Sequence, residues 1–358
     1  MKKIKNAYLA ILILTFSMII FSIAYFNIQI AAVNVTKEDK IVEIEEGLGT
    51  SSIADFLEKE ELIKSAFFFR VYIKINNIDN LQAGFYELND NMDVKQVIDI
   101  LKEGKATFPD AFTITIKEGE NIKDIASLIT NKTIHNESDI YTLLSSSNYQ
   151  DKVIEEYWFI DSEIKNKDIY YSLEGYFFPD TYTIQNEETS LEKIFGTFLN
   201  EMSKKLTPYK TEIIEHDLSI HEILTLASIV ELEGINSETR GDIAAVFYNR
   251  LEIGYSLGSD VTTYYGANVD MADRDLYLTE LNAENDYNTR GTHLAGLLPI
   301  GPICSPGLES ITATINPSSN QFLYFVADKN KEVYFTETIT EHNNIINELK
   351  NNDLWYEY

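Results

Sequence analysis

The chain of 358 residues contains a single cysteine, Cys304, so no intrachain disulfide can form and stability must come from the core alone. Cations are also scarce: 29 Lys and Arg stand against 57 Asp and Glu, a net charge of −28. A nucleic-acid partner is thereby disfavoured, because phosphate contacts need clustered Lys and Arg that this surface does not have in excess. The surplus acid serves solubility first. A hydrophobic fraction of 44% argues against disorder.

Several catalytic signatures are missing as well. His221-Glu222 begins an H-E pair, but Thr225 stands where a zinc protease needs its second histidine. There is no phosphate-binding G-x-x-x-x-G-K-[ST] loop. Cys304 lies in a proline-containing loop with no readable histidine partner, which argues against a thiol nucleophile. What remains is carboxylate chemistry, which calls for no metal or cofactor.

From Asn6 to Thr36 no residue is charged. The segment Ala7 to Phe26 (AYLAILILTFSMIIFSIAYF) is long enough, at about 1.5 Å per residue, to cross a hydrocarbon layer of ~30 Å. A cleaved signal peptide has an apolar run of about 7 to 15 residues ending in a small-x-small site. This run is longer and lacks a clean site, so the reading is an uncleaved anchor, with residues 7–32 in contact with the membrane. Lys2, Lys3 and Lys5 place the N-terminus in the cytoplasm, and the acid excess, which lies wholly beyond residue 36, outside the cell membrane. The length then leaves room for two or three compact domains.

A weak internal repeat follows. VEIEEGLGTSSIADFL (42–57) and ITIKEGENIKDIASLI (114–129) align at an offset of 72. The matches are Val42 with Ile114, Ile44 with Ile116, Glu46 with Glu118, Gly47 with Gly119, Ile53 with Ile125, Ala54 with Ala126 and Leu57 with Ile129. Each copy reads as an alternating strand, a glycine turn and a short amphipathic helix. This resembles the strand-turn-helix opening of LysM-type glycan-binding modules, and it is also a common supersecondary unit.

Beyond Leu173 the signals are denser. EGYFFPDTY (174–182) sets four aromatics around a Pro-Asp turn, suited either to stacking on sugar rings or to a core. Ser219 and Glu222 form an S-x-x-E capping box, and Gly234 ends the helix they open. Its apolar stripe runs Ile220, Ile223, Leu224, Ala227, Val230. At about 100° per residue Glu231 falls about 20° from the stripe's start, whereas Glu222 and Glu233 fall about 200° and 220° away. A carboxyl on an apolar face loses hydration when ionised, so its pKa is expected to rise, as a general acid requires. The same placement suits a structural ion pair with Arg240 or Arg250. A second helix, opened by Asn236 or Ser237, carries Ile243, Val246, Phe247 and Leu251 at helical spacing. Polar turns follow at Ser259-Asp260 and Tyr287 to Arg290, then the loop Gly296 to Gly307, a hairpin QFLYFVADKNKEVYF, and a helix opened by Thr340.

Taken in order, ASIVELE (227–233), VFYNRL (246–251), Ser259-Asp260, YNTR (287–290), GPICSPG (301–307), LYFVAD (323–328) and EHN (341–343) resemble the endolytic murein transglycosylases of the MltG/YceG-like family. The spacing agrees over roughly 173–350, and the anchor and LysM-like region extend the resemblance to nearly the whole chain. It implies a bitopic membrane enzyme that cleaves the β-1,4 bond between N-acetylmuramic acid and N-acetylglucosamine in nascent peptidoglycan, without water, leaving a 1,6-anhydro end. Wall synthases are the implied partners. The family's catalytic glutamate falls on Glu231, and one carboxyl can serve as acid and then as base. Asn249, Arg250, Ser259, Asp260, Tyr287 and Asn288 are the candidates for lining the cleft. Two departures stand out: Asp260-Val261-Thr262 replaces Asp-Pro-Thr, and the loop from Gly296 to Gly301 is one residue longer than the family's pattern. Residues 130–172 match no motif.

The expected fold class is α+β: an anchor over 1–36, LysM-like strand-helix modules over 37–172, and a mixed catalytic domain over 173–358. Three functions remain distinguishable: the lytic transglycosylase; a hydrolytic muramidase using Glu231 with Glu174, Asp260 or water, which leaves a reducing end; and a silent glycan-binding or division scaffold.

Overall fold

The computed structural model describes residues 2–34, 39–45, 47–104, 110–234 and 236–355. It is a mixed α+β chain that divides into two compact units, Met1–Ala111 and Phe112–Tyr358.

The first unit opens with α1 (Lys2–Ile30). Within it Ile11–Ile30 has a mean hydropathy of 2.2 and is long and apolar enough to cross a membrane. Two of its hydroxyls bond inside the helix, Thr15 on the Leu12 carbonyl and Ser22 on the Met18 carbonyl. Then come β1 (Asp39–Ile44), α2 (Thr50–Lys59), α3 (Ala66–Ile75), β2 (Gly84–Asn89) and α4 (Val94–Glu103). β1 and β2 pair antiparallel with Val42 opposite Tyr86. Alternation puts Val42 and Ile44 on the core side, against Ile53, Ala54 and Leu57 of α2 and Val97 and Leu101 of α4.

The second unit begins with β3 (Phe112–Thr115) and α5 (Ile122–Thr130). The two repeat copies therefore have the expected strand-turn-helix form. Gly47 and Gly119 both turn at positive φ, 84° and 83°, where a side chain would be strained. Glu46, the partner of Glu118 in the alignment, lies outside the described residues. Helices α6 (Glu137–Ser145) and α7 (Ser147–Glu156) fill the stretch for which no motif was readable. β4 (Thr181–Ile184) pairs antiparallel with β3, and α8 (Leu191–Leu206) packs beneath.

The domain boundary expected at 172/173 lies inside this unit. Leu173, Tyr176 and Phe177 share one continuous core with Ile114, Ile125, Leu144, Phe159 and Phe198, so the chain cannot be parted there without opening that core. The aromatics of EGYFFPDTY are core residues: Tyr176, Phe177, Phe178 and Tyr182 are all buried, with Phe177 against Phe195 and Phe198.

The remaining elements are α9 (Lys210–Glu215), α10 (Ile220–Glu233), α11 (Ser237–Glu252), α12 (Asp260–Ala267), α13 (Leu278–Leu281), α14 (Leu308–Ile315), the antiparallel hairpin β5 (Tyr324–Ala327) and β6 (Val333–Thr336), and α15 (Ile339–Asn351). The capping box Ser219–Glu222 is formed, and Asn236, not Ser237, caps α11. The last helix is capped by Thr338, not Thr340, because only Thr338 has an acid, Glu341, three residues on to complete its box. α10 is the central helix. Ile223, Leu224 and Ala227 enter the core shared with β3 and α8, while Leu226, Ile229 and Val230 enter a second one with Ile243, Phe247 and Ile303. Burial is thus nearly all round, not confined to the single stripe that periodicity implied.

Candidate active site

Glu231 lies in the last turn of α10 and is buried, its side chain 5% exposed. Its surroundings are not the apolar wall the stripe suggested. Arg240 Nη2 donates to Oε1 at 2.9 Å, and the Gly307 amide and the Ser310 hydroxyl donate to Oε2 at 2.9 and 2.7 Å. Burial in a core edge leaves a carboxylate without water, and these three donors replace it.

Each donor has a local cause. Arg240 sits in the second turn of α11 and its stem crosses Gly234, where an added Cβ would meet Arg240 Cγ at 2.9 Å and the Val230 carbonyl at 2.7 Å. Gly234 has φ −75°, so it is there for space rather than for a left-handed turn. Gly307 and Ser310 flank the start of α14, so Oε2 meets the free N–H groups at a helix N-terminus. The loop before α14 is stapled to α10: the Ile303 amide donates to Ser228 Oγ at 3.0 Å. It is stapled equally to the turn after β3, where the Gly119 amide donates to the Ser305 carbonyl and the Ser305 amide to the Glu120 carbonyl.

That second staple delivers Glu118 to the site. Arg240 Nη2 is 2.9 Å from Glu231 and 4.0 Å from Glu118, so the two carboxylates share one guanidinium nitrogen. Arg240 also pairs with Glu309. Burial first, and the Glu231 charge second, push the Glu118 carboxyl above its ordinary range, while Arg240 pulls it down. Beside this cluster a cavity of about 210 Å³ is lined by Gly119, Leu232, Val261, Tyr265 and Ile303. A roomier hollow of about 830 Å³, lined by His135, Asp139, Lys152 and Glu192, lies on elements that carry none of the candidate residues.

The six residues expected to line the cleft gather around α11, α12 and the turn before Gly291, but most are spent on the scaffold. Asn249 Nδ2 donates to the Phe322 and Asn320 carbonyls at 2.9 and 3.2 Å, and Arg250 Nε donates to the Leu323 carbonyl at 2.7 Å while Nη1 reaches the Leu257 carbonyl. Both tie α11 to the strand entering β5. Ser259 is buried and donates to Glu233 Oε1 at 2.6 Å; burial pushes the Glu233 carboxyl up. Asn288 is fully buried, accepting from Thr263 and donating to the Leu281 and Ala283 carbonyls. Tyr287 is buried and its hydroxyl accepts from the Tyr170 amide. Only Asp260, paired with Arg290, presents its carboxylate to solvent. Cys304 is buried, and burial pushes its thiol far above the ordinary range, which leaves no thiolate to attack anything.

Sequence reasoning missed Gly307, Ser310 and the role of Glu118, and it named Arg240 only as one of two structural partners. The recurrence of Glu118 at the glycine turn of the repeat was the available signal.

A family model described as YceG-like matches residues 42–348. The chain belongs to this family. An endolytic murein transglycosylase of Bacillus subtilis (strain 168) is 36% identical over 303 residues, covering 84% of this chain and 82% of that protein. The endolytic murein transglycosylase of Streptococcus pneumoniae serotype 2 is 32% identical over 339 residues, which is 89% of this chain and 60% of the relative. A crystal structure of a yceG-like protein from Listeria monocytogenes superposes with a TM-score of 0.60 at 32% identity, over 87% of this chain and 100% of that one. This YceG-like chain thus has relatives of shared name across most of its length.

Proposed function

We propose that the chain is an endolytic murein transglycosylase, with Glu231 as its acid and base. The observation that carries the reading is a buried carboxylate at the end of the central helix, held at both oxygens, in a chain whose relatives bear that name. Glu231 gives its proton to the glycosidic oxygen as the bond from the muramic anomeric carbon breaks. The muramic 6-hydroxyl then attacks that carbon and returns its proton to Glu231, so the carboxyl ends as it began and no water is consumed. Gly307 and Ser310 fix the carboxyl plane through both steps. Asp260 faces the glycan, while Asn249, Arg250, Ser259, Tyr287 and Asn288 shape the walls of the cleft.

The finer features belong to the same proposal. α1 holds the chain in the cell membrane with the N-terminus in the cytoplasm, so the site meets strands as wall synthases release them. The two LysM-like copies supply additional purchase on glycan.

The test is to incubate the full chain in detergent, and its Glu231→Gln form, with purified glycan strands and read the product ends by mass spectrometry. Anhydro ends from the wild type alone are expected. Reducing ends would make it a muramidase, and intact strands a binding scaffold.

A further inference from the structure

Arg240 is shared. Its guanidinium touches Glu231 and Glu309 and stands 4.0 Å from Glu118, three carboxylates around one cation. Glu231 is sealed in, while the side chains of Glu118 and Glu309 are 52% and 61% exposed. One guanidinium cannot neutralise three carboxylates at this range, so the cluster favours holding a proton. The chemistry requires that proton on Glu231, yet Glu231 is also where Arg240 makes a 2.9 Å ion pair.

Two features show how the conflict is resolved. Arg240 Nε is buried and makes no hydrogen bond among the described residues, so the contacts that hold the guanidinium end run through its Nη atoms to carboxylates. Gly307 lies between the two acids. Its amide donates to Glu231, and an added Cβ would fall 2.0 Å from Glu118 Oε1, so the missing side chain is the space in which the Glu118 carboxylate rests.

We propose that Glu118 is a positioning residue for the reaction, acting through Arg240: ionised Glu118 draws the guanidinium off Glu231, and Glu231 then carries the proton that cleavage requires. The inference rests on the reading of Glu231 as the acid. The charged and titratable groups facing Glu231 are Arg240 of α11, Glu118 of the turn between β3 and α5, Glu309 of α14 and the Cys304 thiol of the intervening loop. As Arg240 passes from Glu231 to ionised Glu118, Glu231 takes up one proton from solvent, so one ion pair replaces another and no unpaired charge is left buried.

The experiment is the pH dependence of kcat for the full chain in detergent on uncrosslinked glycan strands. The high-pH limb reports loss of the proton from the acid. Glu118→Gln removes the competitor for Arg240, so Glu231 should surrender its proton earlier. The limb should move down by about one pH unit, with about a tenfold loss of kcat at neutral pH and little change in KM. Arg240→Gln should move the limb upward, and adding Glu118→Gln to that variant should move it far less than in the wild type. A limb that stays in place, or moves up, in Glu118→Gln protein of wild-type circular dichroism overturns the proposal. Glu231→Gln separates the two claims: if that variant still cleaves, the assignment of the acid itself is wrong, whereas an inactive Glu231→Gln beside an unmoved Glu118→Gln limb removes only the role of Glu118.

Discussion

Glu231 and Gly307 are seventy-six residues apart in the chain, and the amide of one lies 2.9 Å from the carboxylate of the other. That bond joins the end of α10 to the start of α14, and Ser310 reinforces it one turn further in. The acid is thus held by a second helix rather than by its own.

Removing Ser310 isolates the value of that hold. Ser310→Ala takes away a 2.7 Å bond to Glu231 and leaves an acceptor buried with two donors. Stability should fall by about 1.5 to 3 kcal/mol, the range for a hydrogen bond to a charged group. Turnover should fall by about tenfold as the carboxyl plane loosens. Urea unfolding and initial rates measure the two effects, and unchanged values for both would mean that the contact is incidental.

Gly307→Ala is expected to separate stability from activity. The three atoms nearest the new methyl, Oε1, Cδ and Cγ, all belong to the half-exposed Glu118 side chain, which can swing into solvent. The melting temperature should hardly move. The pH profile should shift as it does for Glu118→Gln, since the carboxylate has lost its seat.

Gly175→Ala should behave in the opposite way. Gly175 has φ +79°, and its Cβ would lie 2.4 Å from Pro302 Cβ, which cannot move aside. Strain and overlap together should cost about 2 kcal/mol or more, visible as a lower denaturation midpoint.

Arg250→Lys tests whether α11 is tied to β5 by a fork or merely by charge. Arg250 donates to the Leu323 and Leu257 carbonyls, and its guanidinium lies 5.5 Å from the centre of the Tyr324 ring. Lysine cannot reach both carbonyls, so a loss of about 1 to 3 kcal/mol is expected on urea unfolding. A midpoint equal to the wild type would show that the charge alone suffices.

Glu174 predicts a pH dependence of stability. Burial pushes its carboxyl from the ordinary 4.5 up to about 8, against hydrogen bonds from the Ile122 amide and the Tyr265 hydroxyl that pull the other way. The folded state therefore holds this proton where the unfolded chain has released it. Its contribution is complete below about 4.5 and is lost as pH climbs to about 8. Urea unfolding from pH 5 to 9 should show wild-type stability declining relative to Glu174→Gln across that window. A constant difference between the two would mean that the carboxyl titrates alike in both states.

The elements legible in the sequence are those whose cause is local. The box Ser219–Glu222, the strand-turn-helix form of both repeat copies and the apolar length of α1 each depend on residues within a few positions of one another. The burial of Glu231 was legible too, though as one stripe rather than as a helix enclosed by two cores.

What the sequence by itself determined was therefore a set of elements, an apolar N-terminal segment, and the place of Glu231 on a buried helix face. Only the tertiary structure decided what surrounds that carboxyl. Arg240, Gly307, Ser310 and Glu118 come from α11, a loop, α14 and the turn after β3, and no periodicity links them. It likewise placed Asn249, Ser259 and Asn288 in bonds to the scaffold, because a buried polar group must find a partner and the nearest one is set by which distant segment crosses it.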